Sequence, residues 1–332
     1  YHADYSLAPR TRVLTADLRW VPISSVEVGD ELVGFDEHLS NPRLRRALVQ
    51  SASDLEQECF EVVTSKGTVV ASALHRWPVR GSRKHSYKGM KNGRTWSTTR
   101  RKMGWVETQA LKAGDLIPYL CEPWAQDATW DGAWMAGFLD GEGWLSKTSF
   151  GFGQNPGPLL DRALDILHRN GMETYQCPNK KGCVKVQVLG PRGSLRALGT
   201  FRPLRLMAKS PSAWEGARAY GGGKLKVEET SAEVLEVRPL GPQRVIGVGT
   251  STGTLIAEGL LSHNSQTCVL VHAWCEVDGS PMRLADLLTN PELAPLASCQ
   301  GVMTVLRQPS VPEPENHQLV LPEVRIIGRI PT

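Results

Sequence analysis

The sequence predicts a mostly β domain whose chain is interrupted by a mixed α/β unit. Three observations predict it. A string of turn, Gly-Asp and apolar strand occurs twice, at 24–35 and again at 109–119. Short strand patterns with tight turns occupy both the start of the chain and the stretch 232–261. Between them, after about residue 122, the apolar spacing switches between strand and helix periods in the order α-β-β-α-β-β-α.

The elements follow in order. Thr11 to Thr15 and Trp20-Val21-Pro22-Ile23 read as a hairpin across Ala16-Asp17-Leu18-Arg19. Ser24 to Phe35 reads as a short helical or turn segment, then Gly29-Asp30, then an apolar strand; Gln109 to Tyr119 repeats this around Gly114-Asp115. Gly before Asp suits a tight turn into a strand, and two copies predict an internally duplicated β fold. Trp130 to Leu139 reads as a helix and Thr148 to Gln154 as a strand. Pro158 to Gly171 is an amphipathic helix with Leu159, Leu160, Ala163, Leu164, Ile166 and Leu167 apolar and Gly171 as its stop. Met172 to Gln176 and Cys183 to Leu189 pair as a hairpin, and Ser194 to Leu198 is helical. Gly216 to Lys224 reads as a linker, and strands return from Ala232 to Val248 and from Thr254 to Leu261. The β domain is therefore split, with the α/β unit inside it.

Composition narrows the function classes. A length of 332 residues gives about two domains. With 41% hydrophobic and 22% charged residues the chain is globular, not disordered. No stretch approaches the roughly 20 apolar residues of a membrane helix, and no signal peptide pattern is present. The first residue is Tyr1, not Met, which predicts a piece of something longer. Seven scattered cysteines disfavour a disulfide scaffold and fit a reducing compartment. The net charge of +4 hides an asymmetry: residues 265–332 carry four basic and seven acidic side chains, while 1–264 carry 34 and 27. Arg80 to Lys102 holds nine Lys/Arg and no Asp/Glu, with Tyr87 and Trp96 among them. Such a segment is either a solvated loop or a polyanion-binding one, the aromatics favouring nucleic acid.

Two short motifs carry chemistry. Ser262-His263-Asn264-Ser265 follows an apolar strand and puts a hydroxyl nucleophile after an Asn whose amide can attack its own carbonyl, beside an imidazole. Gly67 to His75 sets Ser72 and His75 three residues apart after a strand. Together with Ser6 to Thr15 and residues 234–261, these segments resemble the sequence blocks of inteins, the self-splicing elements of the Hedgehog/intein (Hint) fold. The resemblance covers 6–264. It implies that Ser6 attacks the Tyr5 carbonyl, that Ser72 and His75 activate that amide, and that Ser265 takes over the upstream segment. Asn264 then cyclises with help from His263. It implies no cofactor for splicing. The usual nucleophile is Cys, so Ser6 is either native or a substitution that traps the precursor. The block that often carries a helpful Asp or Cys reads Arg244-Val245-Ile246-Gly247-Val248, with Val245 or Gly247 at that position according to register.

Met135-Ala136-Gly137-Phe138-Leu139-Asp140-Gly141-Glu142-Gly143 resembles the LAGLIDADG motif of homing endonucleases. This implies a mostly β Hint domain interrupted by an α+β LAGLIDADG domain (αββαββα). Glu142 is the implied catalytic carboxylate and Mg²⁺ ligand, and double-stranded DNA the implied partner. Candidate DNA contacts are Arg83, Lys84, Lys88, Lys91, Arg94, Arg100, Arg101, Lys102, Gln154, Lys185 and Gln187, the last three equally readable as solvent-facing strand residues. A single motif copy implies a homodimer through that helix. The expected division is an upstream flank 1–5, a first splicing part 6–122 with a basic DNA-contacting loop 80–102, an endonuclease unit 123–222, a second splicing part 223–264 and a downstream flank 265–332. Joining Tyr5 to Ser265 gives Ala-Asp-Tyr-Ser-Gln, which resembles a metal-binding motif of family A DNA polymerases and implies such a host in a bacterial or phage-infected cytoplasm, with no membrane. The rival expectation is a splicing-impaired or trapped precursor whose LAGLIDADG unit only binds DNA.

Overall fold

The structure is a computed structural model that describes residues 5–91, 94–146, 149–178, 182–219, 227–264, 274–277, 280–283 and 297–298. At 82–88, 91, 94, 96–102, 190–191, 227–228 and from 274 onward it describes the backbone alone. The chain divides into two compact units, one formed by 2–266 and the other by Tyr1 with 267–332.

In the first unit the β elements before the α/β stretch are β1 (Ser6–Leu7), β2 (Arg12–Leu14), β3 (Trp20–Pro22), β4 (Glu31–Phe35), β5 (Leu44–Thr64), β6 (Gly67–Ser72), β7 (Arg76–Lys91), β8 (Arg94–Glu107) and β9 (Leu116–Pro118). Then come α1 (Trp130–Glu142), β10 (Gly143–Ser146), β11 (Ser149–Gln154), α2 (Pro158–Arg169), β12 (Thr174–Pro178), β13 (Val184–Val188), α3 (Gly190–Phe201), α4 (Leu204–Met207) and α5 (Pro211–Trp214). After α6 (Val227–Thr230) the β elements resume with β14 (Ser231–Thr250), β15 (Thr254–Ala257) and β16 (Leu260–His263). An eight-stranded sheet runs β4-β5-β6-β1-β14-β9-β7-β8, and a four-stranded sheet runs β16-β15-β2-β3. In the other unit β17 (Trp274–Val277) lies between β18 (Ser280–Arg283) and β19 (Ala297–Ser298).

The repeated Gly-Asp string folds twice into the same device. A 3₁₀ turn (Ile23–Ser25, and again Thr108–Ala110) leads into a glycine at positive φ, Gly29 or Gly114, where L side chains are strained. The following Asp accepts the backbone N–H three residues back, Asp30 from Glu27 and Asp115 from Lys112, at 2.9 Å each. Each Gly-Asp pair then bonds a long strand: Gly29 and Asp30 to Val49, Gly114 and Asp115 to Val234. The duplication read from the sequence is therefore present in the backbone bonding.

Two elements differ from expectation. Residues 44–64 form one long strand that bonds β4, β14 and β6 in turn; its mixed polar pattern hid it, because much of its middle faces solvent on both sides. The basic segment 80–102 is not a loop but the end of the β7–β8 hairpin, with Lys91 facing Arg94 at its tip. Its Thr95, Trp96, Thr98 and Thr99 are strand formers, and this preference prevails over the charge run.

The α/β stretch has the expected element order, with an antiparallel sheet β10-β11-β13-β12. Its two ends are adjacent: β9, which precedes it, pairs with the start of β14, which follows it (Pro118 with Ser231, Leu116 with Glu233). Its apolar core is continuous with part of the β region. Leu14, Leu18, Phe35, Trp124, Ile256 and Leu261 belong to the same buried cluster as Met135, Leu139, Phe150, Phe152, Ile166 and Leu198. The Arg202–Asp17 ion pair at 2.9 Å and the Trp124 indole N–H to the Leu18 carbonyl at 3.2 Å cross the same boundary. A separate cluster around Leu7, Val13, Leu32, Val62, Trp77, Ile117, Val234 and Leu255 fills the rest of the β region.

Strands β15 and β16 are joined by Glu258-Gly259, both at positive φ, the geometry of a tight hairpin turn. A Cβ at Gly259 would lie 2.0 Å from the Cys121 carbonyl oxygen. Gly259→Ala is expected to lower stability by more than about 1 kcal/mol, read as a fall in Tm by differential scanning fluorimetry. An unchanged Tm would contradict this hairpin geometry.

Candidate functional site

The two motifs, far apart in sequence, meet in the interior. β1 is held between β14 and β6, with Ser6 opposite Gly247 and Leu7 opposite Ala71. β16 ends the chain's return at His263. Ser6, Ser72, His75, Ser262, His263 and Asn264 are each at most 2% exposed. Buried polar groups need partners, and here they find them largely in one another.

On the upstream side the Ser6 backbone N–H donates to Ser72 Oγ at 3.1 Å. That nitrogen is the amide nitrogen of the Tyr5–Ser6 bond. Ser72 ends β6, and a turn closed by the His75 N–H to the Ser72 carbonyl brings His75 back beneath it. The His75 ring lies 4.6 Å from the Trp77 ring. Trp77 donates to Thr108 Oγ1, and the Thr108 hydroxyl donates to the His75 carbonyl, both at 3.0 Å. His75 Nε2 meets Ser262 Oγ at 2.8 Å. The Ser262 hydroxyl in turn reaches the His263 carbonyl at 3.1 Å. With that hydroxyl hydrogen committed, Nε2 carries the ring hydrogen and Nδ1, buried without a partner, keeps its lone pair.

Burial, and then the neighbouring His263, push the His75 imidazole down to about 3, so it is neutral at pH 7. The sign follows from its unfolded value near 6.5. Between those values the unfolded chain binds the proton and the folded chain does not. Stability is fully present above about pH 6.5 and falls as the pH drops toward 3, by on the order of 4 kcal/mol from this group. Thermal unfolding across pH 3–7 is expected to show this slope, and His75→Gln is expected to flatten it; equal slopes would contradict a neutral buried His75.

On the downstream side Asn264 is clamped. Its backbone N–H donates to the Gly253 carbonyl at 3.0 Å. Its Oδ1 accepts from the Thr250 N–H and hydroxyl at 3.2 and 2.7 Å, and its Nδ2 donates to the Gly253 carbonyl at 3.1 Å. The Asn264 main-chain oxygen, belonging to the bond that leads to Ser265, lies 2.6 Å from His263 Nδ1. The other ring nitrogen, Nε2, lies 2.8 Å from Glu37 Oε1. The edges and faces of the His263 ring are packed by Trp105 and Tyr5, at 4.8 and 5.1 Å between centroids.

Of the residues singled out in sequence, Ser6, Ser72, His75, His263 and Asn264 therefore share one site; Ser265 lies outside the described residues. Their contacts divide between two ends of the cluster. Ser72, not His75, touches the Tyr5–Ser6 amide nitrogen, and His75 is engaged with Ser262. Gly247, not Val245, faces Ser6, so no carboxylate stands at that position. Glu37, Thr250, Thr108 and the bridging role of Ser262 carry no local sequence signal.

Glu142 stands elsewhere, exposed at the last residue of α1. Its neighbour Asp140 is occupied, accepting the N–H groups of Leu204 and Arg205 at 2.8 Å each. Among the described residues no three His, Cys, Asp or Glu are grouped to hold a metal ion. A lone exposed carboxylate does not fit one within a single chain. An added Cβ at Gly137 or Gly141 would meet nothing within 4 Å, so this side of α1 is open. Lys185 and Gln187 alternate with buried Val186 and Val188 on β13 and share the sheet's outer face. Gln154 does not join them: it pairs with Val184 and continues the side of Phe150 and Phe152, which is the core side. Lys185 lies over the Trp144 ring at 4.6 Å. Arg83, Lys84, Lys88, Lys91, Arg94, Arg100, Arg101 and Lys102 lie on β7 and β8, with side chains outside the described residues.

No family model matches the sequence, and no curated protein matches it. Solved structures similar to it include the gp41-1 intein (10% identity, 78% of this chain and 98% of that chain, TM-score 0.32). Another is a DnaB intein from Synechocystis sp. PCC 6803 (10%, 79% and 99%, TM-score 0.36). A third is a bacterial intein-like domain from Clostridium thermocellum (12%, 78% and 98%, TM-score 0.32). At these scores the likeness carries no weight of its own, and function rests on the site's residues. Among the described residues no helix is long and apolar enough to cross a membrane.

Proposed function

We propose that residues 6–264 are a protein-splicing element of the intein class. One observation carries this reading: Ser6 and Asn264, the two residues whose bonds must change, lie in one buried hydrogen-bonded cluster linked through His75, Ser262 and His263. Ser6 Oγ attacks the Tyr5 carbonyl carbon, the C–N bond breaks, and an ester replaces the amide. The proton that Ser6 Oγ loses passes to the departing nitrogen, whose N–H donates to Ser72 Oγ in the resting chain. Ser265 Oγ then attacks the ester carbonyl and releases Ser6. Asn264 Nδ2 attacks its own carbonyl carbon, the bond to Ser265 breaks, and the freed Ser265 nitrogen takes Tyr5 from the ester. Every group comes from the chain itself, so intramolecular proximity replaces substrate binding.

A hydroxyl is a poorer nucleophile than a thiolate, and the residue paired with Ser6 is Gly247, which has no side chain to help it. The upstream ester is tested with hydroxylamine at neutral pH, which cleaves esters and leaves ordinary amides, the alkaline conditions that cut Asn92-Gly93 being avoided. Treated full-length chain is expected to lose residues 1–5, and Ser6→Ala is expected to lose nothing. Equal loss, or none from either, would overturn the upstream step.

The α/β stretch supports a second function, DNA binding. Trp144, Tyr175, Lys185 and Gln187 occupy the outer face of its sheet, where alternating side chains could meet base edges. On the β7–β8 hairpin, register sets Lys84 opposite Arg101 and Lys91 opposite Arg94, an arrangement of like-charged residues that a phosphate backbone would relieve. We read this stretch as a LAGLIDADG-type unit. Cleavage with Mg²⁺ would need a second Glu142 from a second copy across the open side of α1. The host protein remains the proposed family A polymerase, and the compartment the cytoplasm. The chain is expected to bind duplex DNA containing the joined flank sequence, by mobility shift without metal, and Lys185→Glu with Lys84→Glu is expected to weaken it at least roughly 10-fold. Undiminished binding would overturn the assignment.

A further inference from the structure

The Glu37–His263 contact has no part in the scheme above. Glu37 follows β4 on a short excursion whose preceding residue, Asp36, turns outward to Arg43 and Arg45. Glu37 turns inward instead. Its side chain is 13% exposed and its Oε1 lies 2.8 Å from His263 Nε2. Its Oε2 is buried without a partner. Gly253 stands beside it at positive φ, where a Cβ would meet Oε2 in ordinary contact at 3.5 Å.

The arrangement constrains the protons on His263. Its Nδ1 faces the Asn264 carbonyl oxygen, which can only accept. Its Nε2 faces a carboxylate, which accepts when ionised. A neutral imidazole has one hydrogen and satisfies one of these contacts; the imidazolium satisfies both. A buried carboxylate with one oxygen unpartnered also needs a facing cation. The other titratable groups around the ring are Tyr5 and the buried, neutral His75, with Arg76 over the Tyr5 ring at 5.0 Å.

We propose that Glu37 is a positioning residue for the downstream cleavage: it holds His263 as the imidazolium with Nδ1–H aimed at the Asn264–Ser265 bond. This rests on the splicing reading. In the step, the Asn264 Nδ2–C bond forms and the C–N bond to Ser265 breaks. His263 gives its Nδ1 proton to the departing Ser265 nitrogen and recovers one from Nδ2. The pair ends as it began, and no co-reactant is consumed.

The test uses the full-length chain and Glu37→Gln and Glu37→Asp. Cleavage at Asn264–Ser265 is followed by mass, hydroxylamine cleavage at Tyr5–Ser6 serves as the internal control for folding, and ¹⁵N shifts of the His263 ring report its protonation. Glu37→Gln is expected to slow downstream cleavage at least roughly 10-fold, to leave hydroxylamine cleavage within about 2-fold, and to move His263 to the neutral form. Glu37→Asp is expected to keep the imidazolium and recover much of the rate. Glu37→Gln cleaving at the parent rate, or His263 neutral in the parent, would overturn the inference while leaving splicing intact. Equal loss at both junctions in Glu37→Gln and Glu37→Asp would reduce Glu37 to a folding role and overturn it too. A parent chain silent at both junctions would overturn the splicing reading, and this inference with it.

Discussion

Asn264→Ala is expected to stop release of residues 265–332 completely. The reaction needs a nitrogen nucleophile on this one side chain, and the methyl of Ala supplies none. The Asn264 carboxamide is held by Thr250 and Gly253, and its main-chain carbonyl by His263 Nδ1. The upstream ester depends on Ser6 and Ser72 on a different strand pair, so hydroxylamine is still expected to remove residues 1–5 from Asn264→Ala. The outcome is all-or-none at one junction with the other preserved, which mass spectrometry of the intact chain separates cleanly. Residual release of 265–332 from Asn264→Ala would contradict the cyclisation step.

Replacing residues 123–222 by a short flexible linker is expected to yield a chain that aggregates or fails to splice. The ends permit the excision, since β9 and β14 lie side by side. The core does not. Leu14, Leu18, Phe35, Ile256 and Leu261 share one buried cluster with Met135, Leu139, Phe150 and Leu198. Burying a large apolar side chain contributes about 1.5–3 kcal/mol, so uncovering even three of these five costs on the order of 5 kcal/mol. That is comparable with the whole stability of many domains. Leu261 and Ile256 also sit in the hairpin that carries His263 and Asn264, so loosening it reaches the site. Solubility and splicing are expected to recover in part when Leu18 and Phe35 are also made polar. A soluble excised chain that cleaves at the parent rate would contradict the shared core.

Local chemistry was legible in the sequence, and long-range chemistry was not. The two Gly-Asp devices could be read because each is closed by its own Asp within three residues. Ser72, His75, His263 and Asn264 could be read because each sits in a short motif at a strand end. The helices and strands of the α/β stretch could be read because their faces are cleanly one-sided, as in α2 with its buried Leu160, Ala163, Ile166 and Leu167. Glu37 could not. It acts on a residue 226 positions away, and nothing next to it in sequence marks it. The position opposite Ser6 stayed open between Val245 and Gly247 because strand register is set by pairing with β1, which no single segment reveals. The β7–β8 hairpin was masked by its charge, and β5 by a polar middle that faces no core.

The central claim is that Ser6 and Asn264 are the two cut points of one autocatalytic reaction. The most direct measurement is intact mass of this chain after expression in bacteria, beside Ser6→Cys. The account predicts a product of residues 6–264 with its terminal Asn264 as the cyclic imide, and a second product in which Tyr5 is joined to Ser265. It predicts that Ser6→Cys forms both faster, because a thiol is the better nucleophile. Only full-length chain from both proteins would contradict it.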